Sequence, residues 1–570
     1  MVIALLLLAF AGSSHSLWSQ AAAPAPLRVQ TPSAPAEPRG QLLLVLPFDN
    51  QLPQASLDWI GAAVPEVLNR RFASAGFLPI SSSDRAYALD HLGLPHDFRP
   101  SHASTLRLAQ AVDAEYVVLG TYRVEARPDG SHITAAARVL DVRNLKMSAP
   151  LEEQASLAHL ADVLNSLAWR VTRQIAPAYP VAEQTFLSAD AGLRLDVFEH
   201  YVRGIDAGSE SADRVRHLRE AVRLAPQYYP AWLALGQALF ASQEYEQAAN
   251  AFGHLTRTDP NALEADFYRG LAYFYTGKYL QAEDAFAFVS TRLPLPEVVN
   301  NQGVAAARRG KSGAPFFQQA TTADPREGDY HFNLAIALAR QNNAPGALLE
   351  LDQAVKLRPQ DAEAQAFGAN LHNAAYLAAL GRSAAQAPVA ATTATPAAST
   401  ASPAQGAAAE PNLPLERIKR SYNEAGFRQA AFAMEQMDAT RRAAMPAAQR
   451  ASLLVQNGDH YLNAGLLVEA EREYGQALTV NPASSPAHAG LAQIRERTGD
   501  RDAARAEAQR SLDLAPNVPA HLVLARLDLL TSQLPAAARE VQAALQIAPS
   551  DANARGLKQA IESRGQQVAQ

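Results

Sequence analysis

Apolar positions change their period twice along this chain. From Leu42 to Phe48 (LLLVLPF) they are nearly continuous, the pattern of a buried strand. Over 56–75 they fall at Leu57, Ile60, Val64, Val67, Leu68 and Phe72, the spacing of an amphipathic helix. Ser56 is the expected N-cap of that helix, and Gly76 stands where a C-terminal glycine belongs. Phe77–Ile80 reads as a short strand, 83–92 and 101–112 as helices, and Tyr116–Glu125 (YVVLGTYRVE) as a longer strand. Asp129-Gly130 is a hairpin signal whose return strand is Ile133–Val142. A helix over 156–175 closes the unit with Leu160, Val163, Leu164, Leu167, Val171 and Ile175 on one side. This order predicts a small α/β domain over 42–176 with some antiparallel pairing.

Beyond residue 195 the period is helical throughout and the pattern repeats. Prolines that close successive units stand at Pro226, Pro260, Pro294, Pro325 and Pro359, with gaps of 34, 34, 31 and 34 residues. A second series, Pro482, Pro516 and Pro549, has gaps of 34 and 33. Glycines keep their own phase: Gly270 and Gly277, Gly303 and Gly310, and Gly458 and Gly465 are each seven apart, the first inside one helix and the second in the turn after it. Within 229–260, Trp232, Leu235, Gly236, Leu239, Ala248, Phe252 and Pro260 define one helix–turn–helix unit. This spacing resembles the tetratricopeptide (TPR) family, with Leu239 where a Tyr is usual. Trp232, Phe252, Tyr273, Phe286 and Tyr474 read as core by phase. The unit after Pro294 is short, and Gly313 and Pro315 fall where its second helix begins.

The segments between these patterns set the domain limits. Residues 2–11 are apolar but shorter than the ~20 residues of a membrane span, and 1–21 reads as a signal peptide lacking a basic start. Residues 22–41 are an Ala/Pro linker. The first array spans 195–382, its last helix over 363–381 serving as a cap. Residues 383–414 are Ala, Thr, Pro and Ser with the single charge of Glu410, and read as a flexible tether. The second array covers 415–566: a degenerate helical pair over 415–446, about three regular repeats, and a polar capping helix. The fold class is thus α+β multidomain, one small α/β domain and two all-α solenoids. It also resembles the TolB-like domain through Val45-Leu46-Pro47-Phe48, Trp59 with Gly61, Leu108–Gly120 and Ala137–Val142.

Composition narrows the chemistry. A net charge of -6 provides no basic footprint, so no nucleic-acid partner is expected. With no cysteine there are no disulfides, thiolate metal sites or cysteine nucleophiles. Gly310-Lys311-Ser312 resembles the end of a phosphate-binding loop, but Ala305 stands where the loop needs a glycine. His91, His96 and His102 read as loop histidines rather than zinc ligands. No cofactor, metal or catalytic residue is expected, and no transmembrane segment once the signal is removed. The resemblance instead implies protein or peptide ligands held on the concave face of the repeats, at first-helix positions 2, 5, 9, 12 and 13. Those positions hold Leu233, Gln237, Phe240, Phe267, Leu271, Phe274, Tyr275, Phe332 and Ile336. They carry no Lys or Asn, so an apolar groove is expected rather than a clamp for a C-terminal carboxylate. The expected function is a non-enzymatic, exported (periplasmic) scaffold of the cell envelope; the alternatives are a cytoplasmic TPR regulator or an enzyme with its site in the α/β domain.

Overall fold

The computed structural model describes residues 40–52, 55–95, 101–188, 193–207, 212–259, 261–373, 414–422, 437 and 440–568. The signal-like segment, His96 and residues 383–413 lie outside these.

The α/β domain is built on one mixed sheet. Its strands are β1 (Leu42–Val45), β2 (Asp49–Asn50), β3 (Leu78–Pro79), β4 (Tyr116–Arg127), β5 (Gly130–Asp141), β6 (Lys146–Met147) and β7 (Leu151–Ser156). The order is β3-β1-β4-β5-β6, with β2 also on β4 and β7 also on β5. β1 runs parallel to β3 and β4, whereas β4 and β5 form the long antiparallel hairpin that turns at Asp129-Gly130. α1 (Trp59–Ala75) and α4 (Leu160–Ile175) cover one face, burying Val64, Leu68, Phe72, Leu164, Leu167 and Val171. α2 (Ser82–His91) and α3 (His102–Ala111) cover the other over Leu44, Val117 and Leu140.

Gly76 ends α1 in the left-handed conformation, φ +97°, as its position in the sequence implies. Ser56 is not the cap: it lies in a 3₁₀ turn, Ala55–Leu57, and Asp58 precedes the helix without a capping side-chain bond. Gly61 and Gly120 are required by Phe48. A Cβ on Gly61 would stand 2.6 Å from the Phe48 carbonyl oxygen, and one on Gly120 2.6 Å from its ring.

α5 (Glu183–Leu187) leads to a ladder of helical hairpins that grows directly from α1. The first pair is α6 (Leu195–Asp206) and α7 (Ala212–Leu224), and the rings of Trp59 and Phe198 meet edge-on at 6.0 Å. There follow α8 (Tyr229–Ala241) with α9 (Tyr245–Phe252), α10 (Ala262–Tyr275) with α11 (Tyr279–Ser290), α12 (Pro296–Arg308) with α13 (Ala314–Ala323), and α14 (Gly328–Arg340) with α15 (Ala344–Leu357). α16 (Ala362–Asn370) is the last helix of this ladder among the described residues; it ends in a turn at Leu371, short of the helix expected over 363–381, and residues 374–381 lie outside the described set. The hairpins close on glycine. Cβ atoms on Gly236, Gly270 and Gly458 would stand 2.5–2.8 Å from the rings of Phe252, Phe286 and Tyr474 on the second helix. In the short unit α13 starts directly at Ala314, and Phe317 fills the place beside Gly303.

The second ladder comprises α17 (Ala447–Ala464), α18 (Leu467–Val480), α19 (Ser485–Arg497), α20 (Arg501–Leu514), α21 (Val518–Leu530), α22 (Leu534–Ile547) and α23 (Ala552–Glu562). Its start is docked on the α/β domain. Glu471 accepts a bond from the Ala182 backbone N–H at 2.8 Å and pairs with Arg495, which also donates to Thr185 Oγ1 at 2.7 Å.

Residues 415–422 do not begin a helical pair. Pro414–Tyr422 runs without helix or strand through the concave side of the first ladder.

Candidate functional site

The groove is formed by α10, α12 and α14, the first helices of three hairpins, together with α16, and it is filled by the chain's own segment Leu415–Tyr422 (LERIKRSY). Three fully buried asparagines form its polar floor: Asn300 and Asn301 on α12 and Asn333 on α14. Asn333 accepts from the Arg417 backbone N–H at 2.7 Å and donates to the Arg417 carbonyl at 2.8 Å. Asn300 donates to that same carbonyl at 3.1 Å, and its own oxygen accepts from Asn333 at 2.8 Å. Asn301 repeats the arrangement two residues on, accepting from the Lys419 N–H and donating to the Lys419 carbonyl, both at 2.8 Å. A side-chain amide carries one acceptor and one NH₂ donor, so it matches both polar groups of a peptide unit. Pairing at alternate residues is the register of an extended strand.

Side chains of the segment are sorted by charge. Glu416 is buried between Arg340 and Arg308, the latter also donating to the Glu416 carbonyl at 3.3 Å. Arg417 stacks 3.7 Å above the Phe332 ring and reaches Asp329 at 3.1 Å, Asp361 at 2.5 Å and Glu363 at 2.8 Å. Lys419 lies 2.7 Å from Asp329 and 3.0 Å from Glu327. Ile418 packs among Phe274, Val304 and Leu334, Arg420 donates to the Tyr275 hydroxyl at 2.9 Å, and Tyr422 meets Phe267 edge-on at 4.9 Å.

These contacts move the titration of the groups involved. Burial raises the Asp329 carboxyl, but Lys419, Arg358 and Arg417 together hold it below its usual range. The Arg417 guanidinium holds Asp361 down. Burial works against the Arg417 charge, yet Asp361, Glu363 and Asp329 stabilise it above the ordinary arginine value.

The expected groove residues divide into three sets. Phe274 and Tyr275 are half-buried and touch the segment directly. Phe267, Leu271, Phe332 and Ile336 are fully buried, with Phe267 and Phe332 forming floor beneath Tyr422 and Arg417. Leu233, Gln237 and Phe240 lie farther along; Gln237 donates to Glu264 at 2.7 Å and Phe240 packs edge-on against Tyr245 and Tyr268. The expectation of an apolar groove without asparagine is corrected. The groove positions named from the sequence do not include them, because Asn300 and Asn301 belong to the short hairpin and Asn301 and Asn333 sit one position after position 5. The available signal was Asn two residues ahead of the small residue in consecutive units, Asn301 before Gly303 and Asn333 before Ala335.

Other candidates resolve into structure. Gly310-Lys311-Ser312 is the turn between α12 and α13, with Lys311 3.4 Å from Glu283 and Ser312 accepting from Gln341. Among the described residues no group of three or more His, Asp or Glu side chains is placed to hold a metal. Among them, too, no helix is long and apolar enough to cross a membrane.

Tetratricopeptide-repeat family models match residues 215–269, 305–362 and 455–519. The helical hairpins of this chain are tetratricopeptide repeats, a fold of the protein-interaction type. Among solved structures, the chain is similar to YrrB, described as a TPR protein with an unusual peptide-binding site (18% identity, 27% of this chain and 81% of that one, TM-score 0.26). It is similar also to the TPR domain of P58(IPK) (15%, 65% and 98%, TM-score 0.20). A third is the LpoB C-terminal domain from Escherichia coli (20%, 21% and 84%, TM-score 0.17). No curated protein matches the chain.

Proposed function

We propose that this protein is a non-enzymatic, exported scaffold of the cell envelope that binds extended protein segments in the concave groove of its first TPR array. The observation that carries the reading is the asparagine floor, where Asn301 and Asn333 each satisfy both backbone groups of one residue in an extended segment. Backbone pairing supplies affinity in a largely sequence-independent way, while flanking charges supply selectivity. The apolar run at 2–11 supports export, and the strand and glycine pattern around Phe48 supports a TolB-like reading of 42–176.

Two measurements test this. N-terminal sequencing of the mature chain is expected to begin near Ala22 in an envelope fraction; an intact Met1 on a cytosolic protein overturns export. Cross-linking in envelope fractions is expected to capture proteins with the wild type and to lose them with Asn301→Ala plus Asn333→Ala. Equal capture by both removes the groove from the function.

A further inference from the structure

We propose that Leu415–Tyr422 is a displaceable strap, an internal copy of the segment that the groove takes from a partner, and that it must leave before the partner enters. The inference rests on the groove being the ligand site. It commits the partner to a stated chemistry: an unfolded stretch with an acidic residue, a basic residue next to it, an apolar residue, a second basic residue, and an aromatic three further on. Each requirement has its receiver on the page. Arg308 and Arg340 take the acid, as they take Glu416. Asp329, Asp361 and Glu363 take the first base, and Glu327 with Asp329 takes the second. Phe274 and its neighbours receive the apolar side chain, and Phe267 the aromatic ring.

Three observations argue that the strap is a ligand rather than a part of the scaffold. The hairpins close without it, through the glycine–aromatic contacts of Gly236 with Phe252 and Gly270 with Phe286. The second array has its own attachment to the α/β domain, through Glu471, Arg495 and Arg472, so the strap is not what holds it in place. The strap itself is held by ion pairs, side-chain amide hydrogen bonds and the packing of Ile418 and Tyr422, and Leu415, Arg420 and Ser421 remain exposed.

By sequence, 374–413 links the groove's last helix to the strap. A covalent link of this length imposes an effective concentration on the order of a millimolar. Groove openings are correspondingly rare, and the apparent affinity for an outside segment falls in proportion to the open fraction.

The test uses the full chain and a fluorescein-labelled synthetic peptide, NLPLERIKRSYNE, copied from residues 412–424. The strap is released by Arg417→Glu plus Lys419→Glu, which turns both cations against Asp329, Asp361 and Glu327. A second release variant replaces residues 415–422 with glycine and serine at unchanged length. By fluorescence anisotropy both variants are expected to bind the peptide about tenfold or more tightly than the wild type. Adding Asn301→Ala and Asn333→Ala to either is expected to remove that gain. Wild type and released variants binding equally well would overturn the strap while leaving the groove reading in place. Folded release variants that fail to bind, or bind regardless of the asparagines, would overturn the groove reading itself. If both release variants unfold, the segment is a structural part of the array and the proposal falls.

Discussion

Asn333 holds Arg417 by both of its backbone groups, and its removal leaves the Arg417 N–H without its acceptor. An unpaired buried donor or acceptor costs about 1–3 kcal/mol, although the Arg417 carbonyl keeps its bond from Asn300. For Asn333→Ala, amide hydrogen exchange is expected to accelerate at Arg417 by about tenfold or more and at Lys419 by clearly less, because Asn301 still holds the latter. Equal rates in variant and wild type would show that the asparagine does not anchor the segment. The same scale explains what could be read in advance. Helical phase located Phe267, Phe332 and Tyr474 as large rings on the hairpins, because a repeat fixes where each face points. Phase alone could not tell a ring that faces the groove from one that floors it. Phe267 does both, meeting Phe286 at 6.1 Å and Tyr422 at 4.9 Å.

At the scale of the element, the strap shows how local pattern loses to environment. Leu415, Ile418 and Tyr422 are spaced i, i+3, i+7, which fits a helix as well as a chance arrangement in an extended chain. The acidic groove decides between them, because Arg417 and Lys419 reach Asp329 together only if the backbone lies along the asparagine floor. No window of the sequence contains both the strap and its receivers. The ion pairs also fix the direction of a pH response. Asp329 and Asp361 have carboxyl groups held below the ordinary value, so their contribution is fully present above that value, about 3.9, and is lost as pH falls through the depressed folded-state range. Strap attachment is therefore expected to be flat between about pH 7 and pH 5 and to weaken only below about pH 4. The chain has no native cysteine, so a dye on Leu415→Cys, at an exposed position, reports on the strap alone. Release near neutral pH in its anisotropy would contradict the assignment of these carboxylates.

At the scale of the whole molecule, the α/β domain is the point at which both arrays attach. The first continues from α1 through the Trp59–Phe198 contact, and the second docks with α18 on α5 and α1. By composition alone 383–414 reads as a tether, and from that reading the two arrays are expected to unfold separately, since stability in repeat stacks is a nearest-neighbour sum. The docked interface changes this expectation, and Glu471 is the residue that tests it. In the sequence Glu471 is one more acid on a polar helix face. In the fold it is 4% exposed, accepts from Ala182 and binds Arg495 through both oxygens, at 2.5 and 2.8 Å. Breaking a buried pair from one side costs up to about 3–5 kcal/mol, reduced here because Arg495 keeps some contact with water. Calorimetry of the wild type is expected to show the second array melting together with the α/β domain. In Glu471→Ala the second array is expected to separate as an earlier transition, while the melting of the first array stays within a degree or two. Wild-type and variant traces that superimpose would mean that Glu471 does not couple the second array to the α/β domain.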